Sequence, residues 1–328
     1  MSASRATGAN AAGRPLRVVS ISFANGRSLD EVARLVDQEG GAGADLIALP
    51  ETWLGQDGHE PEGLSGQTIA KMAELARRHR TYLVCPIDRW DGDRRLNSSV
   101  LIDRTGQVVC VYDKVFPYWS EFDVAPAVLP GAEVEVYQAD FGRVGLAICF
   151  DVNFPEVWRR LADRGAELVV WSSAYSAGTS LQAHALNHHF YIVTSTQTVD
   201  CIVYDITGRE LLNESGAALN ISRITLDLDR GIYHENFNLE KRDRLLQDYA
   251  EEIEQELWLP REQWFVLRAR RPGASARGLA RQYGLEELRD YLDRSRGEID
   301  RLRGWCFAAR MDWARPHGPD KKSGDAQI

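Results

Sequence analysis

Short apolar runs alternate with longer amphipathic stretches over the first two-thirds of the chain. The run LRVVSISF (16–23) is β-branched and unbroken, the pattern of a strand buried on both faces. SLDEVARLVDQEG (28–40) sets a capping serine, Ser28, ahead of early acids and spaced apolar positions, which predicts a helix. ADLIALPETW (44–53) predicts a second buried strand stopped by Pro50, SGQTIAKMAELARRHR (65–80) a helix, and TYLVCPIDRW (81–90) another strand. LNSSVLIDRTGQVVCVYDKVFPY (96–118) reads as two strands around a DRTG turn.

VEVYQADFGRVGLAICF (134–150) predicts a strand pair turned near Phe141-Gly142. PEVWRRLADRG is a helix, AELVVWSSA a strand and LQAHALNHHF a helix; YIVTSTQT, CIVYDITGREL and SRITLDLD read as strands. Strands alternate with helices early and hairpins interleave later, so the class is α/β with mixed sheet. From residue 233 the pattern turns to charged helix. LEKRDRLLQDYAEEIEQELWLP predicts an acidic amphipathic helix ended by Pro260, and ARGLARQYGLEELRDYLDRSRGEIDRLRGW is helical in pattern. The expected organisation is a disordered leader (1–15), a catalytic body (16–232) and a helical extension with a frayed end (233–328), which wraps the body or meets another subunit.

The formal charge of −9 argues against general binding to nucleic acid or anionic membrane. Five scattered cysteines without CxxC pairs fit a reducing cytoplasm better than a disulfide scaffold or a structural zinc site. The start has no apolar h-region, and no apolar stretch is long enough to span a bilayer.

Three residues carry candidate chemistry. Cys149 ends the run VGLAI just before a helix-like segment. A lone cysteine is commonly a core filler. A thiol at a strand's carboxyl end facing helix N–H groups is instead favoured as the reactive thiolate, and those amides could hold an oxyanion. Glu51 in LIALPETW also ends an apolar strand, where a glutamate is either a solvated turn residue or part of a site shared with Cys149. Lys114 in QVVCVYDKVFPYW is either a snorkelling strand-end lysine or a fixed cation that stabilises developing negative charge.

Glu in LPE, Lys in YDK and Cys in GLAICFDVNFPE, in this order, resemble the nitrilase, or carbon–nitrogen hydrolase, superfamily, and its amidase-like branch in particular. NSSVLIDRTG, Pro130-Gly131, GAELVVWSSA, HALNHHFYIVTSTQ and DITGREL support the likeness, which covers residues 16–230. The resemblance implies an α-β-β-α four-layer sandwich that associates through its outer helices as a homo-oligomer. It also implies catalysis without cofactor or metal: Glu51 as base, Cys149 as nucleophile through a thioester, and Lys114 with the Phe150 N–H as oxyanion holders. Glu121 is the candidate for the family's second glutamate, with Asp123 as substitute.

The resemblance implies a small-molecule substrate, an amide or N-carbamoyl compound. Asn153 stands where carboxylate-gripping branches often carry arginine, and the segment after the cysteine is nearer the amidase pattern than that of nitrile cleavers. Trp53, Phe116, Tyr118, Trp119 and Phe154 are candidates for an aromatic wall, or for core packing. His184 and His188 lie one helical turn apart, a spacing for pocket lining, metal or ordinary helix surface. The alternatives are an N-acyltransferase on the same trio, a silent assembly or regulatory protein, and a helix-turn-helix at LARQYGLEELRDYLDRS. The acids of that last segment would face phosphates unfavourably.

Overall fold

The structure, a computed structural model, describes residues 12–54 and 60–304. The first half runs β1 (Pro15–Ser22), α1 (Leu29–Gly41), β2 (Leu46–Ala48), α2 (Gln67–His79), β3 (Tyr82–Asp91), β4 (Arg94–Ile102), β5 (Val108–Asp113) and a short α3 (Trp119–Phe122). The second half repeats the theme: β6 (Val136–Gln138), β7 (Arg143–Ile148), α4 (Pro155–Asp163), β8 (Leu168–Ser173), α5 (Thr179–His188), β9 (Tyr191–Thr196), β10 (Asp200–Tyr204), β11 (Glu210–Ser215) and β12 (Asn220–Asp227). One sheet has the order β12-β1-β2-β3-β4-β5 and the other β11-β10-β9-β8-β7-β6. The central pairs β1-β2-β3 and β7-β8-β9 are parallel, as their crossover helices require, while the flanking hairpins are antiparallel.

The β period of two sorts the core. Val19, Ile21, Ile47, Leu49, Leu83 and Cys85 pack with Val32, Val36, Ile69, Met72 and Leu75 of α1 and α2. Their alternating neighbours Val18, Leu46, Ala48 and Val84 pack with Val144, Leu146 and Ile148 of the facing sheet. The second sheet's helices bury Trp158, Leu161, Leu181 and Ala185 in that same core, which completes four layers, α-β-β-α. Small hydroxyl side chains stitch the sheets together: Ser20 donates to the Thr194 carbonyl at 2.7 Å, Ser195 to that of Ile21 at 3.0 Å and Ser172 to that of Leu49 at 2.8 Å. The last of these joins the carboxyl end of β2 to β8, so the two sheets' functional ends are held against each other.

Beyond the sandwich lie β13 (Gly231–His234), α6 (Leu239–Asp248), β14 (Ile253–Leu259), β15 (Trp264–Ala269), α7 (Ala276–Gln282) and α8 (Leu288–Arg303). The extension is helical in α6, α7 and α8, but the single long helix expected over 239–260 stops at Asp248. Its second half is the strand β14, because Ile253 and Leu257 fit a pleated surface against β15. Strand β13 pairs with β15 and straddles the boundary drawn at 232/233. A small core of its own gathers Tyr233, Leu245, Ile253, Phe265, Leu267, Ala276 and Ala280. The segment with a helix-turn-helix pattern is α7 and α8, and α8 rests on the sandwich: Asp293 pairs with Arg159 at 2.9 Å. The Arg289 guanidinium donates to the carbonyls of Ala166, His188 and His189 at 2.9, 2.7 and 2.7 Å.

β1 opens at Pro15, just inside the stretch read as leader. The rest of that leader up to residue 11, the end read as frayed (314–328) and Cys306 lie outside the described residues.

Candidate active site

Glu51 follows the Pro50 stop after β2, Lys114 follows β5, and Cys149 follows β7. The three chain ends meet at one edge of the sandwich, in a cleft of about 560 Å³ lined by Glu51, Lys114, Glu121 and Cys149 together with Asn25, Thr52, Tyr118, Ser120, Phe150, Asn153, Ala174, Tyr175 and Gln197. Glu51 is 3% exposed and Lys114 2%, so neither is a solvated strand-end residue.

The Lys114 ammonium donates to Glu51 Oε1 at 2.8 Å and to Glu121 Oε2 at 2.6 Å. Burial alone would favour the neutral amine, but Glu51 and Glu121 outweigh it and hold the lysine's pKa above its ordinary value. The other oxygen of Glu51 accepts the Ala174 N–H at 2.7 Å, and Gln197 Nε2 donates to the Glu51 carbonyl at 2.6 Å. Glu121, within α3, also accepts the Tyr118 N–H at 2.6 Å. The chain beyond it folds back, with Val128 donating to the Glu121 carbonyl at 2.9 Å and Leu129 to that of Arg95 at 2.8 Å. That loop absorbs the long spacing between Glu121 and Pro130. Asp123 is exposed and does not line the cleft. Gly131 donates its N–H to the Lys114 carbonyl at 2.9 Å, and a Cβ there would lie 2.2 Å from the Asp113 carbonyl oxygen, so only glycine permits this close approach.

Cys149 opens a tight turn, Cys149–Asn153, with φ +44°, in the left-handed region that a residue with a Cβ occupies at a cost of order 1–3 kcal/mol. The Trp171 indole holds the Cys149 carbonyl at 3.1 Å. The expected lowering of the thiol is not what this environment does. Burial, then Glu51, push the Cys149 thiol up to about 12, and Lys114, Ser173 and the Ala174 N–H pull it back less. The resting group is therefore a neutral thiol beside a carboxylate. Two residues on, buried Asp151 accepts from the Tyr112 hydroxyl at 2.7 Å and from the N–H groups of Ile148 at 2.9 Å and Phe116 at 3.0 Å. It thereby ties the segment after Lys114 to the strand that ends at Cys149. Burial pushes this carboxyl up to about 7 against those hydrogen bonds.

The aromatic wall is smaller than its sequence candidates. Phe150 and Tyr118 line the cleft, their rings edge-to-face at 5.3 Å, and Asn153 lines it with them. Trp53 is fully buried against Phe23 in the core on the far side of its sheet. Its side chain alternates to the opposite face from the cleft. Phe154 stacks on Phe116 at 3.7 Å, behind Phe150. Trp119 is 73% exposed and packs edge-on to Phe122 outside the cleft. His188 does not line it either. It stacks between His184 and Phe190, and burial pushes it down to about 3. His184 stacks on Trp158 and bonds the Val152 carbonyl at 2.9 Å.

Asn97, Asn25, Thr52, Ser120, Ala174, Tyr175 and Gln197 were not anticipated. For Asn97 a signal existed, an amide side chain on the strand that pairs directly with the one ending at the lysine. Ser120 sits in α3 and the others on loops, and their approach to the cleft depends on the fold.

The carbon-nitrogen hydrolase family model matches residues 23–231. The chain belongs to this family. It is a carbon-nitrogen hydrolase of the nitrilase superfamily. Among curated relatives it is 30% identical over 197 residues to the deaminated glutathione amidase of Synechocystis sp., across 52% of this chain and 72% of that one. It is 24% identical over 204 residues to the omega-amidase NIT2 of Mus musculus, across 56% and 73%. Two solved structures share the fold. The amidase from Nesterenkonia sp. AN1 in complex with acrylamide, as a double mutant, has TM-score 0.56 and 20% identity over 69% of this chain and 93% of that one. Saccharomyces cerevisiae Nit3, a member of branch 10 of the nitrilase superfamily, has TM-score 0.59 and 18% identity over 73% and 95%. Among the described residues no helix is long and apolar enough to cross a membrane.

Proposed function

We propose that this hydrolase cleaves the C–N bond of a small amide or N-carbamoyl compound through a thioester on Cys149. The observation that supports this reading most directly is the convergence of a thiol, a buried carboxylate and a buried ammonium, from three distant strand ends, on one cleft. Because the thiol is held neutral, Glu51 takes its proton as sulfur attacks the carbonyl carbon. The oxyanion is held by Lys114 Nζ and the Phe150 N–H, which lies in the first turn after Cys149, where N–H groups lack a partner within the turn. Collapse of this intermediate expels ammonia or an amine, which carries off the proton held by Glu51. Glu51 then takes a proton from water, hydroxide attacks the thioester, and the departing sulfur recovers the proton as the acid leaves. Glu121 braces Lys114 throughout.

The amidases among the relatives support an amide as substrate, and the cleft's lining of Tyr118, Phe150, Asn153 and Tyr175 suits a small, partly apolar one. We further propose a homo-oligomer in a reducing cytoplasm. The described cysteines are all free, which supports the compartment, and the exposed Leu292, Ile299 and Leu302 of α8 support a subunit contact. Light scattering measures its size.

The deciding experiment is ammonia release from a panel of amides, N-carbamoyl compounds and nitriles, with native protein and Cys149→Ala side by side. Turnover lost in the variant, with an acyl mass increment on Cys149 of the native protein, is the expected result. Equal rates in both proteins would overturn the reading.

A further inference from the structure

Asn97 lies on β4, two residues from Ser99 and four from Leu101, on the face turned toward the second sheet. It is 1% exposed, and its carboxamide nitrogen donates to Glu51 Oε1 at 2.7 Å and to Glu121 Oε1 at 2.8 Å. Lys114 Nζ donates to that same Glu51 oxygen and to the other oxygen of Glu121. The four side chains form a closed ring in which a cation and an amide each bridge the two carboxylates. The backbone joins the same device, since the Lys114 N–H donates to the Asn97 carbonyl at 2.8 Å.

Both N–H bonds of the amide are consumed by glutamates, and its oxygen has no partner among the described residues. The opposite orientation would set that oxygen against two acceptors, so the nitrogen must face the carboxylates. Leaving that buried oxygen unpaired is a cost to folding.

We propose that Asn97 is a positioning residue of the reaction, fixing the separation of Glu51 and Glu121 and aiming Glu51 at the thiol whose proton it accepts; this rests on reading Glu51 as the base. Two glutamates share this buried site, and each oxygen that faces the ring needs a donor to stay there. Lys114 supplies one positive charge for two negative ones. A second cation at position 97 would keep both glutamates ionised but would also weaken Glu51 as a base. A neutral donor favours the charged carboxylates without adding that opposing charge.

The test uses the full chain as native protein, Asn97→Asp and Asn97→Ser, each examined for thermal unfolding and for ammonia release from the panel above. The rate of Cys149 alkylation by iodoacetamide is followed by mass spectrometry from pH 4 to 9. Asn97→Asp sets a third carboxylate beside Glu51, and the acid limb of the alkylation profile moves up by about one pH unit or more. Asn97→Ser replaces the amide's two donors with one hydroxyl on a shorter side chain and moves the limb in the same direction by less, so the test survives if the aspartate variant fails to fold. On a turned-over amide, kcat falls by about tenfold or more while KM changes less. Limbs superimposable on the native one, with activity falling only in step with melting temperature, would reduce Asn97 to packing and overturn the inference. A native protein that releases no ammonia but still shows the shifted limbs in its variants defeats the proposed function and upholds the role of Asn97. A native profile with no acid limb overturns both.

Discussion

The Lys114 ammonium stands 2.8 Å from Glu51 Oε1, although 63 positions of chain separate the two residues. Each is almost wholly removed from water, and each is the other's compensation for that loss. A buried pair of this kind is weak evidence of net stabilisation, yet breaking it is costly because the survivor stays buried and uncompensated.

Lys114→Met leaves Glu51 and Glu121 facing each other with no cation between them. The unfolding free energy falls by about 3–5 kcal/mol. Urea denaturation measures it, and an unchanged midpoint would contradict the buried placement of all three groups.

Gly131→Ala drives a methyl group into the Asp113 carbonyl, one residue before Lys114. The strand end must shift, and with it the ammonium. Catalysis drops by about 10²-fold, more than the stability loss of about 1–3 kcal/mol explains. Steady-state kinetics paired with calorimetry separates the two effects. Native-like kcat would show that the lysine tolerates displacement.

The Asp151 carboxyl, pushed up to about 7 chiefly by burial, holds its proton more tightly in the folded chain than in the unfolded one. Its contribution to stability is therefore fully present below about pH 4 and is lost as pH rises toward 7, a change of about 4 kcal/mol. Asp151→Asn cannot ionise, so its urea midpoint varies less with pH across this window than the native one. Parallel pH profiles of native and variant would rule the assignment out.

Arg289 joins the extension to the sandwich through three backbone carbonyls, two of them at the end of α5. Arg289→Leu strands those oxygens in a buried seam at about 1–3 kcal/mol apiece before relaxation. Limited proteolysis is expected to cut within 271–304 of the variant under conditions that spare the native chain. Identical digestion patterns would mean that the remaining contacts, the Asp293–Arg159 pair among them, hold α8 in place without Arg289.

Much of the sandwich is legible along the chain because it rests on local rules. The serine cap at Ser28, with its Glu31 partner, starts α1 where the pattern puts it. Alternation within β1 to β4 divides the apolar residues between the outer helices and the facing sheet. The 239–260 segment misleads for the opposite reason. Its spaced leucines and acids suit a helix, and only the partner strand β15 makes its second half extended. Trp53 misleads as well: it is two residues from Glu51, close enough to suggest a shared pocket, yet the backbone turn at Thr52 sends it into the core behind its sheet.

Periodicity, caps and turn residues are short-range physics, and they determined most elements of the sandwich, its α/β class and the three strand ends that carry reactive groups. The ring of Glu51, Lys114, Glu121 and Asn97, the neutral state of Cys149 and the inward turn of Asp151 were decided only by tertiary structure. Each depends on which charges end up within hydrogen-bond reach after water has been removed, and a linear order of residues contains neither that distance nor that loss of solvent.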